Sequence, residues 1–348
     1  MQADIQRLLD GELGRWLAEQ EEVRAAAKAK ARERWFYGAL ICLPLFGFMW
    51  FLPAIAWNFK LFIAFAAGGA AYAWGYAVIA EAKKNVKVGI NSAIAADLGI
   101  QYNDEVSPGW EYDTARKFSL LSSSDRRNFE DRWYGELSGH RFNLYEAHLE
   151  ERRGSGKNRR WVTVFRGAII DMGFGRDFHS TTLLQRKGKH KKWWGFGGRA
   201  DHVTFDGHRL DFVDQVHPDF EDVFEVYSDD QVEARVLIHP SYIEHLLELE
   251  RVFGGDAVRA VFSAGEVVIV VESGNLFESG TMNARDDHAK VAQAAEQFGA
   301  MARLALAINQ NERGRALGSE PIADKPRITD HARETIQPRA GGFGRKGL

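Results

Sequence analysis

Between Trp35 and Ala80 the chain carries two runs without a charged side chain, "WFYGALICLPLFGFMWFLPAIAW" and "LFIAFAAGGAAYAWGYAVIA", parted only by "NFK", Asn58 to Lys60. Each run has about 20 residues. As a helix rising ~1.5 Å per residue, each spans the ~30 Å of a bilayer's hydrocarbon. Two adjacent runs of this length are hard to bury in a soluble domain, so residues 35–80 are expected to form a transmembrane hairpin instead of a core hairpin. Trp35, Trp50 and Trp57 sit near the ends of the first run, where an aromatic belt lies. Pro44 is expected to bend the first helix and Pro53 to begin the turn.

The flanks set the orientation. Arg24, Lys28, Lys30, Arg32 and Arg34 precede the first run, Lys83, Lys84 and Lys87 follow the second, and the turn has only Lys60. The positive-inside bias then places both termini in the cytoplasm, at a bacterial inner (plasma) membrane. A signal peptide is not expected, because the apolar run starts late and acidic residues precede it. Ala67, Ala71 and Gly75 form a small-residue stripe that suits close packing of the two spans, or self-association.

Residues 1–34 read as a charged amphipathic helix with its stripe at Ile5, Leu8, Leu9, Leu13, Trp16 and Leu17. It suits a membrane surface or a partner helix. Residues 81–310 read as a cytosolic α+β domain, antiparallel and β-rich, with flanking helices and a C-terminal helix. "VKVGINSAIAADLG" continues as helix out of the membrane. Strands follow in "RWYGELSG", "RFNLYEAHLEE", "RRWVTVFRGAIIDMGF", "STTLLQRK", "ADHVTFDGHRLDFVD" and "EARVLIH", with turns at "SGH" and "RGSGKN". "PSYIEHLLELERVFGG" reads as a helix with Ser241 as N-cap, Glu244 completing a capping box, and Gly254 and Gly255 as the stop. "AVRAVFS" and "EVVIVVE" make a hairpin over "AG". The final helix shows its face at Val291, Ala295, Phe298, Ala302, Ala305 and Ile308. Residues 311–348, polar, Gly-rich and basic at the end, are expected to be a disordered tail.

The run Phe224 to Leu249, "FEVYSDDQVEARVLIHPSYIEHLLEL", resembles the hallmark of an uncharacterised bacterial family, a domain of unknown function with paired N-terminal transmembrane helices. "FEDRWYGELSGHRFNLYEAHLE", "VFRGAIIDMGF" and "NLFE" (Asn275 to Glu278) resemble further blocks of it. The resemblance spans about Phe36 to Ile308. It implies topology and domain extent, and supplies no catalytic residue. "KGKHKKWWGFGG" and the tail look like departures from the family pattern.

The composition narrows the chemistry. With a formal net charge of -3 over 348 residues, the chain is not built as a dedicated nucleic-acid binder, so nucleic acid is an unlikely partner. A single cysteine, Cys42, excludes an intrachain disulfide and a Cys-based metal site. "RRGSGKN" breaks the P-loop spacing, "GFGRDF" and "GFGGRA" lack a dinucleotide turn's third glycine, and no Gly-x-Ser-x-Gly elbow occurs. The nearest histidine pairs, His202 with His208 and His239 with His245, are six apart and do not match a helical ligand pair. No metal or other cofactor and no catalytic residue is assigned.

Two features remain. Asp211 to Glu233 carries nine acids, and "DDQVE" offers hard oxygen ligands to a divalent cation. Alternatively Glu233 and Arg235 pair with neighbouring charges. The second feature is a basic-aromatic loop, Arg186, Lys187, Lys189, Lys191, Lys192, Trp193 and Trp194, suited to anionic lipid headgroups. A plain exposed hairpin tip with the Trp pair folded back is the bland reading. The expectation is a membrane-anchored binding or scaffold module of unknown ligand, with the lipid bilayer and a protein partner or self-association as contacts. The alternative is a membrane-bound, metal-assisted hydrolase using Asp229, Asp230, Glu233 and nearby histidines.

Overall fold

The computed structural model describes residues 5–310 except 54, 55, 176, 194, 195, 206, 215–217 and 254–256. The expected tail at 311–348, the Gly254-Gly255 stop and Trp194 lie outside the described residues.

Three helices open the chain: α1 (Ile5–Asp10), α2 (Glu12–Trp50) and α3 (Trp57–Asp97). α2 runs unbroken through residues 34 and 35 and contains Pro44. α3 carries the second apolar run and continues as helix into the folded domain, as the sequence suggested. Among the described residues, α3 alone is long and apolar enough to cross a membrane, by length and composition. The small-residue stripe faces α2. A Cβ on Gly38 would lie 2.8 Å from that of Ala71, and one on Gly75 would lie 2.1 Å from the Trp35 indole. Trp35 Nε1 donates to the Tyr72 carbonyl at 3.1 Å.

The N-terminal stripe packs on the protein itself. Leu13 and Leu17 are buried with Val86, Ile90 and Ile94 of α3, and Ile5, Leu8, Leu9 and Trp16 pack against them. Of the two readings of this stripe, pairing with another helix is the one seen.

The body is an antiparallel sheet of ten strands in the order β1-β2-β3-β4-β12-β11-β5-β10-β9-β8. The strands are β1 (Gln101–Glu105), β2 (Arg126–Leu137), β3 (His140–Arg153), β4 (Arg160–Gly173), β5 (Thr182–Arg186), β8 (His202–Phe205), β9 (His208–Val213), β10 (Phe224–Ser228), β11 (Ala257–Ser263) and β12 (Glu266–Glu272). β6 (Lys191–Trp193) and β7 (Phe196–Arg199) pair separately as a two-stranded ribbon. Helices α4 (Trp110–Lys117), α5 (Pro218–Val223), α6 (Gln231–Leu237), α7 (Pro240–Phe253) and α8 (Asp287–Ala307) flank the sheet.

Tight turns fix the register where the sequence placed them. Leu137 pairs with His140 across Ser138 and Gly139, both at positive φ. Phe205 pairs with His208, and Ser263 with Glu266 across Ala264 and Gly265. One core lies between the sheet and helices α3, α6, α7 and α8, and a second lies under α4 on the other face. The six positions expected to mark the face of α8 are all buried.

Two local expectations are overturned. "EARVLIH" is not a strand. Asp230 caps α6, accepting from the Val232 and Glu233 N–H groups, and Ala234 and Leu237 turn inward at a helical spacing while Val232 and Val236 face solvent. Ser241 is not the N-cap of α7. The helix starts at Pro240, and His239 supplies the cap: its carbonyl accepts from Ile243 N–H at 3.1 Å and its ring Nδ1 from Tyr242 N–H at 3.3 Å.

Candidate functional site

The basic loop grows out of β5. Gly188, at φ +80°, turns the chain, and its N–H donates to Glu225 Oε1 at 3.2 Å. The expected cations then take different roles. The Arg186 guanidinium sits 5.6 Å from the Phe224 ring centroid. Lys187 Nζ pairs with Asp222 at 3.1 Å. Lys189 is exposed and has no ion-pair partner among the described residues. Lys191 and Trp193 pair through their backbones with Arg199 and Phe196. The side chains of Lys191, Lys192 and Trp193, like all of Trp194, lie outside the described residues.

Under the loop is a cavity of about 640 Å³ lined by residues that include Lys189, His190, His202, Thr204 and Phe205. A second cavity, about 280 Å³, brings Lys187 and Arg199 against Glu221, Asp222 and Glu225. The chain's own acids therefore answer part of the loop's positive charge. The His190 ring meets Tyr227 and Phe205 edge-on at 5.6 and 6.0 Å. Burial, with Lys189 beside it, lowers the His190 pKa, so the ring is neutral near pH 7. Among the described residues its buried Nε2 has no hydrogen-bond partner, and on β5 both amide atoms of fully buried Gln185 likewise have none.

The three acids of "DDQVE" accept from backbone amides. Asp229 Oδ1 accepts from Thr181 N–H at 2.8 Å. Asp230 caps α6. Glu233 Oε2 accepts from the His179 and Ser180 N–H groups at 3.0 and 2.6 Å. These bonds hold the Glu233 carboxyl below its ordinary pKa against the opposing pull of burial. Neither Glu233 nor Arg235 makes the expected pair with a neighbouring charge in these bonds: Arg235 Nε donates to the Asp214 carbonyl at 3.1 Å. No group of three His, Cys, Asp or Glu side chains suited to a metal occurs among the described residues. His202 and His208 take different register positions, opposite Asp211 and Phe205.

A third arrangement has no counterpart in the sequence reading. Where α3 meets the sheet, Lys87 Nζ lies 2.6 Å from Asp131 and 2.9 Å from Glu278. Tyr102 OH donates to Asp131 Oδ1 at 2.5 Å. Glu146 on β3 is buried beside them, with Oε1 unpartnered. Burial pulls the Lys87 pKa down, but the two carboxylates more than offset this and it is raised. The local sequence signal was weak: Glu146 follows inward Phe142 and Leu144 on one face of a mixed polar and apolar strand, and a second glutamate stands in "NLFE".

Residues 163–310 match a family described as a protein of unknown function (DUF3137). The match begins within β4, so "FEDRWYGELSGHRFNLYEAHLE" and both apolar runs lie outside it, while "VFRGAIIDMGF", the run Phe224 to Leu249 and "NLFE" lie inside. No curated protein matches the chain. Among solved structures the chain is similar to the crystal structure of the mycobacterial trehalose monomycolate transport factor A, TtfA. Identity is 11% and the TM-score 0.32, over 64% of this chain and 95% of that one. That score is too low to establish a shared fold.

Proposed function

We propose that the chain is a membrane-anchored binding module. In this reading the apolar ends of α2 and α3 lie in lipid, the sheet domain faces the cytosol at a bacterial inner membrane, and the basic loop contacts anionic headgroups. The observation that carries the anchor is exposure. Only 6% of the most apolar stretch of α3 is buried, and Phe59, Phe62, Phe65 and Tyr72 stand open beside Phe36, Ile41 and Phe48 of α2. An apolar surface of this extent is unfavourable in water and is relieved by hydrocarbon.

The orientation rests on fewer charges than the sequence suggests. Arg24 is paired with Asp287, Lys84 with Asp104, and Lys87 with Asp131 and Glu278. That leaves Lys28, Lys30, Arg32, Arg34 and Lys83 to favour the cytoplasmic side. All five sit at the same end of the two apolar runs, which supports both termini on that side.

At the loop, each cation near an anionic surface contributes about 1 kcal/mol. Lys189 is available for this, whereas Lys187 and Arg186 are already engaged within the protein. The hydrolase reading has less support, because one oxygen each of Asp229, Asp230 and Glu233 already serves backbone amides.

The test uses the full chain in nanodiscs of zwitterionic lipid, mixed with vesicles rich in phosphatidylglycerol. Co-flotation is expected, and its loss when Lys189, Lys191, Lys192, Trp193 and Trp194 are replaced by Ser. Equal flotation of that variant would remove the lipid contact. Recovery of the full chain as a detergent-free soluble monomer would remove the anchor.

A further inference from the structure

Beside the apolar core that α3 shares with the sheet, the two also meet through a largely buried polar cluster with more acidic than basic groups. α3 is a single helix, so Lys87, seven residues past Ala80, stands only about 10 Å beyond the apolar run. Among the described residues its ammonium group is the one cation ion-paired with Asp131 and Glu278. Asp131 is 1% exposed and sits in a β-bulge of β2, at φ +59°, a conformation L-residues rarely hold without support. Glu146, from β3, is 3% exposed and has one carboxyl oxygen without a partner.

The segment 276–280 closes the arrangement from outside. Phe277, at φ +49°, presents its carbonyl to Asn91 Nδ2 at 3.3 Å. Ser279 Oγ donates to Asn91 Oδ1 at 2.9 Å. Gly280 approaches so closely that a Cβ there would lie 2.4 Å from the Lys83 carbonyl oxygen.

Most elements around Glu146 bring ionisable groups; on β4 its register partner is Ala168, and Arg166, two positions away, donates to Asn275 Oδ1. Lys87 comes from α3, Tyr102 and Asp104 from β1, Glu130 and Asp131 from β2, and Glu278 from the closing segment. Asp104 is matched by Lys84. Asp131 and Glu278 already exceed Lys87 by one negative charge. A further buried anion at Glu146 would be answered by a backbone hydrogen bond at Leu276 and by the charge of Lys87, which Asp131 and Glu278 already engage, and burial outweighs both.

We infer that this cluster is a proton-linked latch between α3 and the sheet: closed, it keeps Glu146 protonated, and opening it exposes Glu146 to water and releases that proton to solvent. Burial first, then the charge of Asp131, pushes the Glu146 carboxyl up to about 9 in the closed form. In the open form it has the ordinary glutamate value, near 4.5. A group raised in the closed state favours closure at low pH and loses that advantage as pH rises through its closed-state value. Between the two values, one proton makes opening about tenfold more favourable per pH unit. Asp131, pushed up to about 6 by burial against the pull of Lys87, acts in the same sense below that pH. The latch is therefore tight in acid and loosens toward alkaline pH. It does not depend on any lipid contact of the basic loop.

The test is hydrogen exchange of the full chain in detergent, read on peptides covering 84–94 and 276–280 and corrected for intrinsic exchange. Between pH 6 and pH 8 the opening constant of the wild type is expected to rise about tenfold per pH unit. Glu146→Gln keeps the size and has no proton to lose, so its opening constant is expected to stay flat. Equal slopes for the two proteins would overturn the latch. Infrared spectra of the wild type labelled with ¹³C-glutamate give a measurement that needs no variant. A protonated glutamate carbonyl band is expected at pH 7, and its absence would overturn the inference equally.

Discussion

Arg24 of α2 and Asp287 of α8, 263 positions apart, meet as a two-bond fork of 2.8 and 2.9 Å with almost no solvent on either side chain. This pair fastens the N-terminal helix to the last helix of the domain, across the whole length of the sheet's sequence. Removing one partner leaves the other charge buried alone. Arg24→Ala is expected to cost about 3–5 kcal/mol in chemical denaturation of the full chain in detergent. The double change Arg24→Met with Asp287→Leu is expected to recover most of that loss, since a buried ion pair is often replaceable by apolar groups.

The same N-terminal helix rests on a missing side chain. A Cβ on Gly89 of α3 would fall 2.1 Å from the Trp16 ring. Gly89→Ala is expected to displace that ring, destabilise the fold by about 1–3 kcal/mol, and expose residues 5–20 to protease. In a Trp16→Leu background the added penalty should shrink. A penalty of unchanged size there would show that the ring is not what Gly89 accommodates.

Gln185 is fully buried, and among the described residues neither of its amide atoms has a partner. A polar group in that state costs about 1–3 kcal/mol. Gln185→Leu is therefore expected to raise the melting temperature of the full chain. A fall would mean that a solvent molecule or ligand satisfies the amide in solution.

Asp230 has a structural assignment that a metal role would contradict. Its carboxylate caps α6 through Val232 and Glu233. Asp230→Ala is expected to lower stability by about 0.5–2 kcal/mol. Calorimetric titration with Mg²⁺ or Mn²⁺ is expected to give the same trace for variant and wild type. A saturable signal lost in the variant would restore the acidic segment as a cation site.

The sequence made some of this plain, for physical reasons. Uninterrupted apolarity and helix-forming residues past Ala80 foretold that α3 would run on into the domain. The turns at Ser138-Gly139 and Ala264-Gly265 were legible because tight hairpins need residues tolerant of positive φ, and glycine marks them. α8 was legible from the spacing of Val291, Ala295, Phe298 and Ala302. α6 was not. Its seven residues include two β-branched valines, and only the long-range burial of Ala234 and Leu237 decides for helix.

The candidate sites were less legible still. The cationic loop could be seen from composition, but the pairing of Lys187 with Asp222 and the bond from Gly188 N–H to Glu225 depend on how α5 and β10 lie beside β5. Lys87 looked like one more basic flank residue. Nothing near it in sequence announces Asp131, 44 positions on in a bulge, or Glu278. The choice of partner is made by the sheet order, which local patterning does not encode.

The continuity of α3 has a mechanical consequence. Forty-one residues of helix form a rod about 60 Å long. With its inner half wedged between Trp16 and the sheet, the rod is a lever whose fulcrum lies near Lys87. A tilt or axial twist imposed on the outer end reaches the Asp131 bulge as a displacement, without a flexible link to absorb it.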